Sequence, residues 1–331
     1  MMKLGIVASA HGFGHLTRQL ALGRALSARG VARTYFTHAP AHVVHSTDPS
    51  ARLVPWTADV GIAQRDGLTE DLSATRARLG EIVTDRRIDA LAAQLADVDF
   101  VLVDAAPPAL EACRRARRPC LAIGNFDWAW IYRHYPALSD WAEQYAAWQA
   151  PHDAISLWPG PGMTGFRSVR SVGLVGRRAP AQPLPEGSVL VSFGGFGLHD
   201  LDARLPRLPG VTWVMAPPMP RLSRPDVHYV DGVPYPSLVA GADVVLTKPG
   251  YGIFAEASLS GTRIGWWPRG AFPEAPFLEQ ALRDRGDRAL SDDLRELPAL
   301  LASPAPAPRP HDLDSLVEHV LSAARSAPTA R

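Results

Sequence analysis

Cysteine is nearly absent from the chain: Cys113 and Cys120 are the only two in 331 residues. That is too few for a disulfide framework or a cysteine-built metal cage, and the spacing is too long for a C-x-x-C pair, so both read as buried thiols. Lysine is equally scarce. Lys3 and Lys248 stand alone, which leaves 32 of the 34 basic residues as arginine, and a lysine surviving so strong a preference invites a chemical reason. An excess of one charge is missing too, since 34 basic and 33 acidic side chains leave a net charge of +1. That balance excludes a dedicated nucleic-acid binder. No apolar run approaches the roughly 20 residues of a membrane-spanning helix. The first residues run straight into a strand-like Gly5-Ile6-Val7-Ala8 rather than a signal segment, which points to a cytoplasmic protein and leaves peripheral membrane contact open.

Apolar residues are plentiful at 47%, enough for two sizeable cores, and 31 prolines are about twice the usual share of roughly 5%. Residues 4–9 read as a strand, residues 11–15 as a glycine turn, and residues 16–29 as a helix with Leu16, Leu20, Gly23 and Leu26 on one face. Further strands are expected at 33–37 and at 100–103, the latter ending in Asp104 ahead of Pro107-Pro108. The grammar restarts after a proline-rich stretch. Residues 188–192 form a strand before a second glycine turn, and strands follow at 211–215 and 242–246. Alternating strands and helices imply parallel sheets, so the expected architecture is α/β, with two doubly wound Rossmann-like domains facing across a cleft. The expected division is a domain at 1–176, a linker at 177–187, and a second domain at 188–331 that includes a terminal helix with Leu313, Leu316, Val317, Val320 and Leu321 at helical spacing.

Ligands bind beyond the carboxyl ends of strands in such sheets, which directs attention to three segments. In the segment Lys248-Pro249-Gly250-Tyr251-Gly252 a strand gives way to a helix, whose free amides and dipole favour a phosphate. Gly250 and Gly252 permit close approach, Lys248 adds a point charge, and Glu256, about one turn inside the helix, can accept ribose hydroxyls. Alone, this turn is better read as a buried structural feature. Ser192-Phe193-Gly194-Gly195 supplies a second turn that can clamp the same diphosphate. Neither has the spacing of a kinase or dinucleotide loop. In the third segment, Gly14 lies on the donor side, His11 and Phe13 on the acceptor side, and His15 can take a proton from an acceptor hydroxyl. Asp104 can hold the His15 ring if their strands are neighbours; otherwise His15 caps a helix and Asp104 opens a turn. Aromatics crowd residues 126–148. Trp141, Tyr145 and Trp148 have core spacing, which leaves Trp128 and Trp130 for an acceptor wall. The pairs Asp97/Asp99 and Asp312/Asp314 read as solvated surface, and neither a metal nor a cofactor is expected.

The ordered series His11-Gly12-Phe13-Gly14-His15, Asp59-Val60-Gly61, Asn125-Phe126-Asp127-Trp128, Ser192-Phe193-Gly194-Gly195, Lys248-Pro249-Gly250-Tyr251-Gly252 and Phe272-Pro273-Glu274 covers both halves of the chain. It resembles nucleotide-sugar glycosyltransferases of the GT-B fold, family 28 type, and most closely the glycosyltransferase-like N-terminal domain of plant L-arabinokinase. The resemblance implies inverting, metal-independent transfer from a nucleoside diphosphate sugar, a UDP-sugar above all, to a hydroxyl on a small-molecule or glycan acceptor. It implies His15 as base and Asp104 as its orienting acid. Ser192, Gly194, Gly195, Gly250 and Gly252 would bind diphosphate, Glu256 the ribose, Glu274 the donor sugar, and the backbone near Val233 the base. Phe13 and Lys248 depart from many relatives, which have a small residue and His or Arg at these positions. Two alternatives stay open: a non-catalytic nucleotide-sugar sensor or scaffold, and a sugar-nucleotide 2-epimerase.

Overall fold

A computed structural model of the chain describes residues 1–9, 13–64, 70–193, 201–268, 270 and 272–327. In chain order the elements are β1 (Lys3–Ala8), α1 (Phe13–Ala28), β2 (Ala32–Thr37), α2 (Ala41–Thr47), β3 (Arg52–Pro55), α3 (Leu72–Ile82), α4 (Asp85–Leu95), β4 (Phe100–Asp104), α5 (Pro107–Arg115), β5 (Cys120–Gly124), α6 (Trp128–Arg133), α7 (Ser139–Gln149), β6 (Asp153–Leu157) and β7 (Ser168–Val172). They continue with β8 (Ser188–Ser192), α8 (Leu201–Arg204), β9 (Thr212–Met215), β10 (Val227–Tyr229), α9 (Tyr235–Gly241), β11 (Val244–Thr247), α10 (Tyr251–Ser260), β12 (Arg263–Trp266), α11 (Ala275–Asp284), β13 (Arg288–Ala289), α12 (Leu297–Ala302) and α13 (Leu313–Ser326). The chain forms two compact units, and among the described residues the first holds 1–64, 70–175 and 312–327, the second 176–311.

In the first unit a parallel sheet runs in the order β3-β2-β1-β4-β5-β6-β7. Its central strands β1, β4 and β5 are buried on both faces, as helices on either side require, while the edge strands β3 and β7 are more exposed. Because side chains alternate along a strand, Leu4, Ile6, Leu102 and Ile123 pack on one face, and Val7, Val101, Val103 and Ala122 on the other. The first face is covered by α1 and α13, the second by α4 and α5. This assigns the terminal helix to the first unit, not to the 188–331 domain expected from sequence. Leu316, Val317, Val320 and Leu321 of α13 bury against the β1 face. The Leu174 amide donates to the Asp312 carboxylate at 3.2 Å, so Asp312 fastens this helix instead of standing free in solvent. The expected linker 177–187 clusters with the second unit.

In the second unit the order is β10-β9-β8-β11-β12-β13, again parallel. Val189, Val191, Val244 and Leu246 build one of its buried faces with Trp213, Leu297 and Leu300. Both sheets reverse direction at a switch point, between β1 and β4 in the first and between β8 and β11 in the second. At that point two successive βα turns diverge and leave a crevice for a ligand. No helix among the described residues is long and apolar enough to cross a membrane.

Candidate active site

The two strands that carry His15 and Asp104 are neighbours, with Ala8 paired to Asp104 in register. His15 sits in the first turn of α1, directly above that pair. Its Nδ1 lies 2.9 Å from Asp104 Oδ1, and its ring meets Phe126 edge-on at 5.8 Å, so both the hydrogen bond and the packing fix the imidazole. Asp104 is fully buried. It also accepts Arg18 Nε at 2.8 Å, Arg18 Nη2 at 2.5 Å and Gln19 Nε2 at 2.6 Å. Burial alone would raise the pKa of this carboxyl, but the charges of Arg18 and His15 and their hydrogen bonds outweigh it and hold Asp104 well below the usual carboxylate range. An ionised Asp104 is an acceptor only, so the His15 tautomer it selects carries the proton on Nδ1 and presents Nε2 as a base.

Sequence reasoning missed Arg18 and Gln19. They lie three and four residues after His15, where a helix places side chains on one face, and that spacing was a usable signal. Asn125 completes the network. Its Oδ1 accepts Arg18 Nη1, and its Nδ2 donates to the carbonyls of Leu157 (3.1 Å) and Pro159 (2.9 Å). Gly160 is required there, because a Cβ on it would come within 2.1 Å of the Asn125 carbonyl oxygen. Asp127 of the same motif caps α6 by accepting the Trp130 amide at 2.7 Å.

Trp128 corrects the acceptor-wall expectation. Only 1% exposed, it is a core residue: its indole N–H donates to the Ala105 carbonyl at 2.9 Å, and its ring packs between Phe126 and Tyr132. An indole whose polar edge is satisfied by backbone gains most from full burial. Trp130 stays half-buried, against His134. Of the expected core stripe, Tyr145 is fully buried, whereas Trp141 and Trp148 are half-buried.

Asp59, named in the motif series without a role, is another buried acid in the first unit. Burial, aided by the Asp104 charge, pushes its carboxyl up to about 7 against the opposing hydrogen bonds of Ser9 and Trp128. The unfolded carboxyl ionises near pH 4 while the folded one keeps its proton, so stability falls as pH rises from about 4 to about 7. The displacement from 3.8 to about 7 is on the order of 4 kcal/mol. Asp59→Asn is expected to remove this fall, giving a variant more stable than wild type at pH 8 and little different at pH 4. Urea unfolding across that range checks it; a variant curve parallel to wild type would contradict the assignment.

In the second unit Ser192 ends β8 and Thr247 ends β11, paired in register at the switch point. Thr247 Oγ1 donates to the Ser192 carbonyl at 2.5 Å, tying the two strand ends together. Tyr235 hydrogen-bonds the Ser192 side chain, and burial pushes its phenol up to about 12. Lys248, Gly250 and Gly252 lie half-buried at the start of α10, with Gly250, which has no side chain to offer, as the cap residue. Gly250 has extended backbone, and a Cβ on it would meet nothing closer than 3.8 Å. Packing within the unit therefore does not demand glycine there. Glu256 is buried on α10 and bonded through Oε1 to Arg177 Nε at 2.6 Å. Burial raises the Glu256 carboxyl above its ordinary range, and the Arg177 charge and hydrogen bond offset part of that. Arg177 stands 79 residues away in the sequence, so no spacing could have announced it.

Glu274 is buried at the N-terminus of α11, and Val233 is half-buried just ahead of α9. Gly14 is in the first turn of α1, its carbonyl accepting Thr17 Oγ1 at 3.2 Å. His11, Gly194 and Gly195 lie outside the described residues, as does the Phe13 side chain.

No family model matches the chain. Among curated proteins, L-arabinokinase of Arabidopsis thaliana is 29% identical over 304 residues, covering 83% of this chain. The chain spans 29% of that protein's length. Three solved structures align over nearly all of it. The glycotransferase of kitacinnamycin superposes with a TM-score of 0.64 at 20% identity, covering 98% of this chain and 95% of that one. CalG4, the calicheamicin glycosyltransferase, gives 0.60 at 20% identity, covering 98% and 94%. Arabidopsis thaliana UGT89C1 complexed with UDP gives 0.63 at 14% identity, covering 99% and 97%. Likeness at such identities establishes the architecture: this chain has the GT-B fold of the glycosyltransferases, two Rossmann-like α/β units.

Proposed function

We propose that the protein is an inverting glycosyltransferase that moves a sugar from a nucleoside diphosphate donor, UDP-linked in the first instance, to a hydroxyl acceptor. The observation that carries this reading is the pair of switch points. One holds an imidazole oriented by an ionised, buried carboxylate. The other holds the N-terminus of a helix with glycine at its cap position and a buried carboxylate on the same helix. Structural neighbours complexed with UDP and with dTDP support the donor class. In this reading His15 Nε2 takes the acceptor proton as the acceptor oxygen bonds to the anomeric carbon. The bond from that carbon to the phosphate oxygen breaks, and the configuration inverts. Charge developing on the diphosphate is met by the α10 amides and Lys248, with no resident metal or cofactor. Arg177 fixes Oε1 of Glu256, which turns the carboxylate toward the ribose hydroxyls. Glu274 takes the hydroxyls of the sugar, and the Val233 backbone reads the base. Trp130 lines the acceptor side.

Calorimetry with UDP, dTDP, GDP and ADP, each with and without a chelator, tests the donor site. One nucleotide should bind selectively in both conditions, and Glu256→Ala and Glu256→Gln should each weaken it by roughly tenfold or more, the loss of charge-assisted hydrogen bonds. Failure of every nucleotide to bind would remove the reading.

A further inference from the structure

Sequence alone placed Cys113 and Cys120 as inert buried thiols, and the structure divides them. Cys113, on the inner face of α5, is fully buried, while Cys120, the first residue of β5, is only half-buried. The connection between them folds back tightly: Arg118 N–H donates to the Cys113 carbonyl at 2.9 Å and Arg117 adopts a positive φ of 52°. That turn returns the chain so that Cys113 lies in the buried apolar cluster between α5 and the sheet and Cys120 packs against the same cluster. On its other side Cys120 Sγ lies 3.3 Å from Nδ1 of His152, which immediately precedes β6. The cluster stands at the amino ends of β5 and β6, whereas Asp104 and Asn125 stand at the carboxyl ends of their strands, so the chemistry proposed for His15 makes no use of it.

We propose that Cys120 is an oxidation site, activated by His152 and resolved by Cys113 into a reversible disulfide, with a hydroperoxide as the oxidant. A half-buried sulfur admits an oxidant as small as hydrogen peroxide while excluding bulky disulfides. In the first step the Cys120 thiolate attacks one peroxide oxygen. The O–O bond breaks, Cys120 becomes a sulfenic acid with loss of two electrons, and the departing hydroxide takes a proton from the His152 imidazolium to leave as water. In the second step Cys113 sulfur attacks Cys120 sulfur. The S–S bond forms, the S–O bond breaks, and the Cys113 proton leaves with the hydroxide as a second water. Two thiols and one peroxide thus become one disulfide and two waters.

The groups facing Cys120 favour its thiolate. The hydrogen bond from Cys113, then that of His152 and its charge, lower the Cys120 thiol to about 6 against the effects of burial and of Asp153. Burial raises Cys113 well above the ordinary thiol range, so it keeps its proton and serves as donor. Burial depresses His152 and Arg167 repels its proton, but the sulfur it faces outweighs both and raises it. Arg167 is itself bonded to Asp153 through Nε at 2.9 Å and Nη2 at 2.6 Å, and the Asp153 charge adds to the rise at His152.

Hydrogen peroxide with the native protein at pH 7, followed by intact mass and peptide mapping, tests the proposal. Wild type should lose two hydrogens as a Cys113–Cys120 disulfide that a thiol reductant reverses. Cys113→Ser should stop at a sulfenic acid that dimedone traps, Cys120→Ser should not react, and His152→Ala should react roughly tenfold or more slowly. Iodoacetamide alkylation of unmodified wild type gives an independent readout, with a pH midpoint near 6 at Cys120 in place of the usual value near 8.5. An unreactive wild type, an undiminished rate in His152→Ala, or an ordinary alkylation midpoint would each overturn it.

Discussion

His15→Ala is expected to lower turnover by about 10²- to 10⁴-fold, the range that a positioned general base contributes, while nucleotide affinity stays within about twofold of wild type. The split follows from the division of labour across the chain. His15 and its orienting network belong to the first unit, and the residues proposed to hold the nucleotide, apart from Gly14, belong to the second. Removing the imidazole takes away proton transfer and one edge contact with Phe126, and leaves Arg18 and Gln19 still bonded to Asp104. The measurement is UDP release across a panel of hydroxyl acceptors, with calorimetric nucleotide binding on the same samples. A variant that keeps more than about a tenth of wild-type turnover removes His15 as the base. Binding without turnover in either protein favours the sensor reading instead.

Asp104→Ala is expected to destabilise the fold by about 3–5 kcal/mol, the usual penalty for removing one partner of a buried ion pair. Arg18 is only 5% exposed and spends all three of its guanidinium nitrogens on Asp104 and Asn125. Without the carboxylate, its cation is left in a site from which water is excluded. Arg18→Ala should cost a similar amount, since Asp104 then keeps a full charge with only Gln19 and His15 to satisfy it. The double variant should be markedly less destabilised than the sum of the two, because neither charge remains to be compensated. Urea unfolding of the three proteins reads this directly. Strict additivity would mean that the pair contributes no coupling.

This pairing also changes the analogy to a catalytic triad. In the sequence, Asp104 looks like a carboxylate serving one histidine. In the structure it serves Arg18, Gln19 and His15 together, so much of its charge is already neutralised. Its action on His15 is to select a tautomer and hold an orientation more than to stabilise a full imidazolium charge. Arg18 was visible in the sequence through its three-residue offset from His15, but its partner Asn125 was not, being 107 residues distant.

The sequence by itself determined the class of the fold and singled out the two strand-end turns proposed to carry the chemistry. Short apolar runs, glycine turns and helical stripes are local signals, and local signals survive without knowledge of which strands are neighbours. Hence β1, β4, β8 and β11 and the turns beyond them were legible, together with His15, Asp104, Lys248 and Glu256. Tertiary structure decided whatever depends on meetings between distant segments. It paired β1 with β4 and β8 with β11, and joined Glu256 to Arg177. It also buried Trp128, folded α13 back onto the first sheet, and set Cys120 against His152. An amphipathic stripe states that a helix must be covered without stating by what. A buried charge states that it must have a partner without naming it. Those choices belong to packing and electrostatics in three dimensions, where sequence separation has no influence.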